Sequence, residues 1–265
     1  MKKVSFNCTQ CGKCCHALNI PLTTREAIDW LGRGGRVKIL TEAIPWTDDT
    51  LLSDSLFTRK KAITFEAMSG SLAIRVAVTL VGHYSDACPN LDDNQNCSIY
   101  EQRPLTCRIY PFEINPQIQL NPINKLCPKD AWQTIPFPDR ATRENSPTVY
   151  LIDEITRELI TKLHETNSNE VLFKKALCTK LGIKSCSLSN NGYLFHLVEH
   201  EQLILALKAT ESGTKQHLIE SEPSNDGWLI YSNNEQTLQD LKDVGAQSNL
   251  SFNLDNSNQE FIALI

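Results

Sequence analysis

Hydrophobic residues recur along this 265-residue chain with two different periods, and each period predicts its own kind of element. Leu72, Ile74, Val76, Val78 and Leu80 alternate with Arg75 and Thr79, which predicts a strand with one apolar face. Residues 37–40 and 62–66 also read as strands, and Ser69-Gly70-Ser71 supplies the turn of a hairpin leading into 72–80. The helical period appears first after Thr23-Thr24-Arg25-Glu26, a capping box that opens a short helix through Ile28 and Leu31 to Gly32, Gly34 and Gly35. Ser98-Ile99-Tyr100-Glu101 repeats the capping pattern and predicts a helical turn limited by Pro104.

In the second half, Ile152, Ile155, Leu159 and Leu163 form one stripe, with Ser146 as N-cap and Pro147 as first helical residue. A further helix carries Val171, Leu172, Leu177 and Leu181 and ends at Gly182. The dense apolar stretch 193–208 reads as helix rather than strand. The remainder reads as strand 228–231, helix 232–245, strand 250–254 and strand 261–265, with no internal repeat. Pro111, Pro116, Pro122 and Pro128 make 110–128 a looped segment, and Pro136, Pro138 and Pro147 mark a boundary. The expected division is residues 1–135 as one module and 146–265 as a second.

Composition adds constraints. Apolar residues are 41% and charged residues 22%, a globular balance, and no apolar run approaches the roughly 20 residues of a bilayer span. The basic start Met1-Lys2-Lys3 has no apolar stretch behind it, so the expectation is a cytoplasmic protein without a membrane role. The net charge of −5 argues against a nucleic-acid partner. Residues 1–135 hold 15 Lys/Arg against 13 Asp/Glu, so the excess of about +2 there is too small to change that reading.

Cysteine changes the picture most. Eight of the ten fall before residue 128: Cys8, Cys11, Cys14, Cys15, Cys88, Cys97, Cys107 and Cys127. A two-residue spacer lets two thiolates on one turn face a single ion, and Cys8-x-x-Cys11-x-x-Cys14 chains two such spacers. Cys15 is adjacent to Cys14 and is expected to point elsewhere, toward a second site or a non-ligand role. Gly12 permits the backbone conformations a crowded loop needs. Cys88-Pro89 and Cys127-Pro128 stiffen the chain leaving each cysteine. The set suits two four-thiolate sites, or one cluster with spare thiols, holding an iron–sulfur cluster or zinc. Iron–sulfur is the slightly favoured of the two. Lys13, Arg103 and Arg108 are placed to offset thiolate charge. A disulfide framework fits poorly with the absent secretory signal. Cys178 and Cys186 read as packed side chains, and His16 as exposed or supporting rather than ligating.

The ordered motifs Cys-x-x-Cys-x-x-Cys-Cys at 8–15, Cys88-Pro89-Asn90-Leu91, Cys97-Ser98-Ile99-Tyr100-Glu101-Gln102-Arg103-Pro104, Cys107-Arg108-Ile109-Tyr110-Pro111-Phe112 and Cys127-Pro128 resemble the bacterial CxxCxxCC cysteine-cluster family. This family, also called YkgJ-type, is described as zinc- or iron-chelating, and the resemblance covers roughly residues 5–130. It implies that the eight cysteines are the metal-binding set. The family includes flagellin lysine N-methylases, whose cysteine cluster is understood to hold an iron–sulfur centre.

The resemblance opens three functional readings. The leading one is a metal-binding protein of this family, holding its iron–sulfur cluster or zinc through thiolates. An enzyme modifying protein side chains, lysine N-methylase-like, would use Arg103, Arg108 and Tyr110, with Tyr100, to bind a cofactor beside the cluster and would take a protein substrate. S-adenosylmethionine is conceivable there, although no glycine-rich strand-to-helix loop supports it. A non-catalytic zinc module would scaffold a protein partner through its C-terminal region. Catalytic residues are not legible. His196-Leu197-Val198-Glu199-His200 matches an inverted zinc-peptidase pattern, but a polar helical face is the simpler reading. The expected fold is α+β: a loop-rich, metal-stapled N-terminal module with a small antiparallel sheet, then a mixed helical and β region.

Overall fold

A computed structural model describes residues 2–16, 18–46, 55–135, 148–212, 227–251, 254 and 257–264. The chain is α+β and divides into two compact units, each assembled from separate stretches of sequence. The first comprises Met1–Ile20 with Tyr84–His164, the second Pro21–His83 with Glu165–Ile265. The boundary expected at 136–145 lies outside the described residues.

The second unit is built on a nine-stranded mixed sheet. Its longest pair is β3 (Arg36–Pro45) with β5 (Leu72–His83), antiparallel and in register from Arg36 opposite His83 to Pro45 opposite Ile74. β2 (Ile20–Leu22) and β4 (Thr64–Ser69) lie beyond β5, and the hairpin turn 69–71 forms as its sequence predicts. On the other side β3 is shared by β8 (Ser185–Leu188) and β9 (Gly192–Leu197). From there β10 (Leu229–Ser232) and β11 (Ser248–Leu250) extend the sheet from β8, while β12 (Gln259–Ala263) pairs with β9.

Helices α1 (Thr24–Gly32), α5 (Val171–Leu181) and α6 (His200–Ser212) accompany this sheet, with α2 (Ser55–Ala62) and α7 (Glu235–Asp243). The Thr23 capping box is complete, and Gly182 ends α5 in the left-handed region at φ 67. Trp30, Ile39, Ile74, Val76, Leu80, Leu177, Leu194, Leu203, Leu207 and Ile230 are almost wholly buried and form the core.

Arg75 departs from the alternation. It is 6% exposed rather than outward, and its guanidinium donates to Thr64 Oγ1 (2.9 Å), Thr64 O (2.6 Å), Lys61 O (3.0 Å) and Glu66 Oε1 (2.9 Å). A period-2 pattern cannot show that a charged side chain is satisfied by its own neighbours.

The stretch 193–208 also corrects its reading. It is strand β9 followed by α6, because β9 fills the place beside β3 and pairing there overrides the local helical preference. His196 and His200 therefore do not share a helical face.

The first unit contains a three-stranded sheet of β1 (Lys2–Phe6) between β6 (Trp132–Ile135) and β7 (Thr148–Tyr150). It is mixed: β6 is antiparallel to β1 and β7 parallel. Beside it, α3 (Leu105–Ile109) and α4 (Glu154–Asn169) bring together Leu105, Ile109, Phe112, Leu159 and Leu163 as a small core. Phe6 packs edge-on to Phe112 at 6.0 Å and against Trp132 at 5.0 Å.

The stripe on α4 runs through Thr156, 7% exposed, rather than Ile155, 65% exposed. Residues 148–150 are strand. The helix starts where Asp153 accepts from Thr156 N–H and Oγ1–H, both at 2.8 Å, whereas the expected cap residues 146 and 147 lie outside the described residues. Ser98 likewise does not cap. Its hydroxyl donates to Asn90 O at 2.8 Å, and a single 3-10 turn, Tyr100–Gln102, follows.

His196 ties three strands of the larger sheet together. Nε2 lies 3.1 Å from Ser185 O and 2.9 Å from Thr41 Oγ1, and Nδ1 lies 3.2 Å from Gln259 Nε2 on β12. Burial holds its pKa down at about 4, against an ordinary value of 6.5. The unfolded chain therefore binds this proton more readily than the folded chain. Stability from the neutral imidazole is complete above pH 6.5 and is lost as the pH falls toward 4, by about 3 kcal/mol in all. Urea denaturation followed by tryptophan fluorescence should show that loss, and His196→Gln should flatten the curve across the same window.

Candidate metal centre

All eight cysteines of the N-terminal half lie in the first unit, although almost 120 residues separate the first from the last. Their positions follow from three loops and one short helix. In the first loop, Gly12 takes φ 69, and a side chain there would meet Gln95 O at 2.8 Å. Only glycine allows the 8–15 loop to lie this close to the 88–97 loop. A 3-10 turn, Lys13–His16, then places Cys14 and Cys15 next to each other, and Cys15 O accepts from Cys88 N–H at 2.7 Å. His16 is exposed, with Nε2 2.9 Å from Gln95 Oε1.

The second loop is folded around polar side chains. Asn90 is 6% exposed and its amide points at Cys88 Sγ, 3.8 Å away. Asp92 Oδ1 accepts from Asn94 N–H and Asn96 N–H, which turns the chain so that Leu91 and Cys97 bridge. Cys107 sits on α3, which is fixed by burial of Leu105 and Ile109 on its other side. Cys127 follows a loop held by Tyr110, whose hydroxyl oxygen accepts from Leu126 N–H at 2.8 Å and whose O–H is directed at Cys127.

Electrostatic influence shows which thiols are neighbours. Cys15 hydrogen-bonds to both Cys14 and Cys88, so it does not turn away from Cys14 as adjacency in sequence led one to expect. Donation by Cys15 lowers Cys14 to about 7 and, with help from Asn90, lowers Cys88 to about 6. Cys15, whose single thiol proton is shared between the two hydrogen bonds, is pushed far up. Burial raises Cys97 and Cys107, with Cys88 and Cys14 adding to the effect and Arg103 opposing it. Burial also raises Cys127 to about 12, followed in size by Cys14, Cys8 and Cys11, against Lys125.

Cys14 thus influences Cys15, Cys97, Cys107 and Cys127, and Cys88 influences Cys14, Cys15, Cys97 and Cys107. Cys178 and Cys186 belong to the second unit and are 1% and 0% exposed. Burial raises both, as expected of packed thiols. No disulfide joins any of the ten.

Arg103 is the cation nearest to this chemistry. Its guanidinium stacks on the Tyr100 ring at 3.7 Å, its Nε donates to Tyr100 O at 2.8 Å, and Tyr100 is in turn hydrogen-bonded to Cys8. Arg108 is exposed, and Tyr110 is a support of the Cys127 loop. Sequence reasoning did not single out Asn90, Gln95 or Tyr84, whose hydroxyl lies 3.5 Å from Cys14 O. The Cys-Pro-Asn order carried a usable signal for Asn90, since an amide two residues after a cysteine can turn back to its sulfur. Gln95 and Tyr84 act through backbone approach and long-range contact, which leave no local signature.

Among the described residues, no three His, Cys, Asp or Glu side chains close on one ion-sized centre. The donor chemistry nonetheless fits a thiophilic metal. The eight side chains are soft sulfur donors, and two are held near the thiolate state at neutral pH.

No curated protein and no solved structure matches the chain. A family model does match, over residues 7–128, a span that holds all eight of these cysteines and neither Cys178 nor Cys186. The matching model is that of the CxxCxxCC family, described as "Putative zinc- or iron-chelating domain".

Proposed function

We propose that Cys8, Cys11, Cys14, Cys15, Cys88, Cys97, Cys107 and Cys127 bind metal, with an iron–sulfur centre as the preferred occupant. The observation that carries this reading is that all eight cysteines fall in one unit, where Cys88 N–H donates to Cys15 O at 2.7 Å and Gly12 lies against Gln95, joining the 8–15 and 88–97 loops. Cysteines acting as small hydrophobes would be buried singly, as Cys178 and Cys186 are. An iron–sulfur centre on these thiolates would supply one-electron chemistry, whereas zinc would supply a structural cross-link.

The chain's own residues have separable tasks around that centre. Asn90 orients Cys88 and favours its thiolate. Arg103 offsets negative charge at Cys14, Cys97 and Cys107 while Tyr100 holds its guanidinium in place. Tyr110 fixes the backbone just before Cys127.

Anaerobic purification followed by iron, sulfide and zinc analysis with a visible absorption spectrum tests the proposal. A brown protein with iron and acid-labile sulfide is expected. Zinc alone would replace the preferred occupant, and neither metal would overturn the site. Cys14→Ser should lose most of the bound metal, whereas Cys178→Ser should keep it. Arg103→Gln should weaken metal retention against a competing chelator by roughly tenfold or more, as removal of a supporting group beside metal ligands does.

A further inference from the structure

A second candidate site lies wholly within the second unit and is lined by none of the eight cysteines. A cavity of about 550 Å³ opens where β3 begins and where β5 and β9 end. That size is in the range of small-molecule sites. Strand register gathers its polar groups. Arg36 is directly opposite His83, Lys38 is two residues along the same face of β3, and Lys38 is opposite Leu197. Glu260 on β12 reaches across to Lys38, with Nζ 2.6 Å from Oε2. The connection from β9 to α6 supplies Val198, Glu199 and His200 at the rim.

The charges divide into one satisfied pair and one unsatisfied pair. Lys38 is 13% exposed in its side chain, lies 5.6 Å from the Phe195 ring centre and is neutralised by Glu260. Among the described residues, no side chain pairs with Arg36 or Glu199, and both are exposed. His83 is half-buried, and burial together with Lys38 keeps its imidazole below the ordinary value, so it is neutral at pH 7. The cavity therefore offers one uncommitted cation, one uncommitted carboxylate and the neutral, hydrogen-bonding imidazole of His83. Leu31, Val37, Leu197 and Val198 give it an aliphatic wall. A plain anion would face Glu199 without compensation, and a plain cation would face Arg36.

We propose that this cavity binds a small zwitterion of the α-amino acid class, with its carboxylate on Arg36, its ammonium on Glu199 and an aliphatic side chain on the apolar wall. The site is independent of the metal centre and stands or falls separately from it.

Calorimetric titration of the full-length protein with L-leucine tests the assignment, with 4-methylpentanoate and isopentylamine as probes that each carry only one of the two charges. L-Leucine should bind. Each one-charge probe should bind more weakly by roughly tenfold or more, the cost of losing one charge-assisted contact. Arg36→Gln and Glu199→Gln should each weaken L-leucine binding by a similar factor. Both residues are exposed, and unchanged circular dichroism would confirm that the variants fold. Absence of L-leucine binding, equal binding of 4-methylpentanoate, or full affinity in both variants would overturn the proposal.

Discussion

Eight thiols share one neighbourhood, and each thiolate that forms there raises the cost of forming the next. The first unit is arranged around that repulsion. Cys15 shares its proton with the two thiols that ionise most readily, Cys14 and Cys88, so the innermost trio carries less charge than three separate thiolates would. Arg103 adds a fixed positive charge facing Cys14, Cys97 and Cys107, and its stacking on Tyr100 limits where that charge can move. Metal ligation would complete the same task, since a cation bound by thiolates removes the repulsion at its source.

This requirement explains why the unit is mostly loop. Within the 8–15 and 88–97 segments, the cysteines approach one another through sharp turning of the backbone. The Gly12 approach to Gln95, the Asp92 turn and the 3-10 turn at 13–16 are the local devices that provide it. The frame that steadies these loops is apolar and separate: Phe6, Phe112, Leu105, Ile109, Leu159 and Leu163 pack together with no sulfur among them. The thiol loops and the hydrophobic core are thus separate parts of one unit. The larger unit satisfies some of its buried polar groups differently, within its own strands, as Arg75 and His196 show. Against that background, Arg36 and Glu199 at one end of the same sheet stand out as charges with no side-chain partner among the described residues.

What could be read from sequence was whatever depends on near neighbours. The Thr23 capping box, the Gly182 helix end, the 69–71 turn and the cysteine motif are all set by residues within a few positions of one another, and each appears as its sequence predicts. What escaped depends on partners far along the chain. Residues 193–197 look helical until β3 supplies an edge to pair with, and Ile155 looks internal until Asp153 sets the start of the helix and turns Thr156 inward. The interleaving of the units escaped for the same reason. The chain leaves the first unit after Ile20 and returns at Tyr84, so the hairpin that precedes the second cysteine group belongs to the larger sheet. Nothing in the motif announced that Cys15 would bridge Cys14 and Cys88, nor that Asn90 would lie against Cys88.

The central claim is that eight cysteines act as one metal-linked set while two others serve only packing. Cysteine alkylation resolved by mass spectrometry, in the native protein before and after chelation, addresses it most directly. The eight should become reactive together when metal is withdrawn, while Cys178 and Cys186 stay protected until the second unit unfolds. Independent reactivity of the eight, unaffected by the chelator, would contradict it.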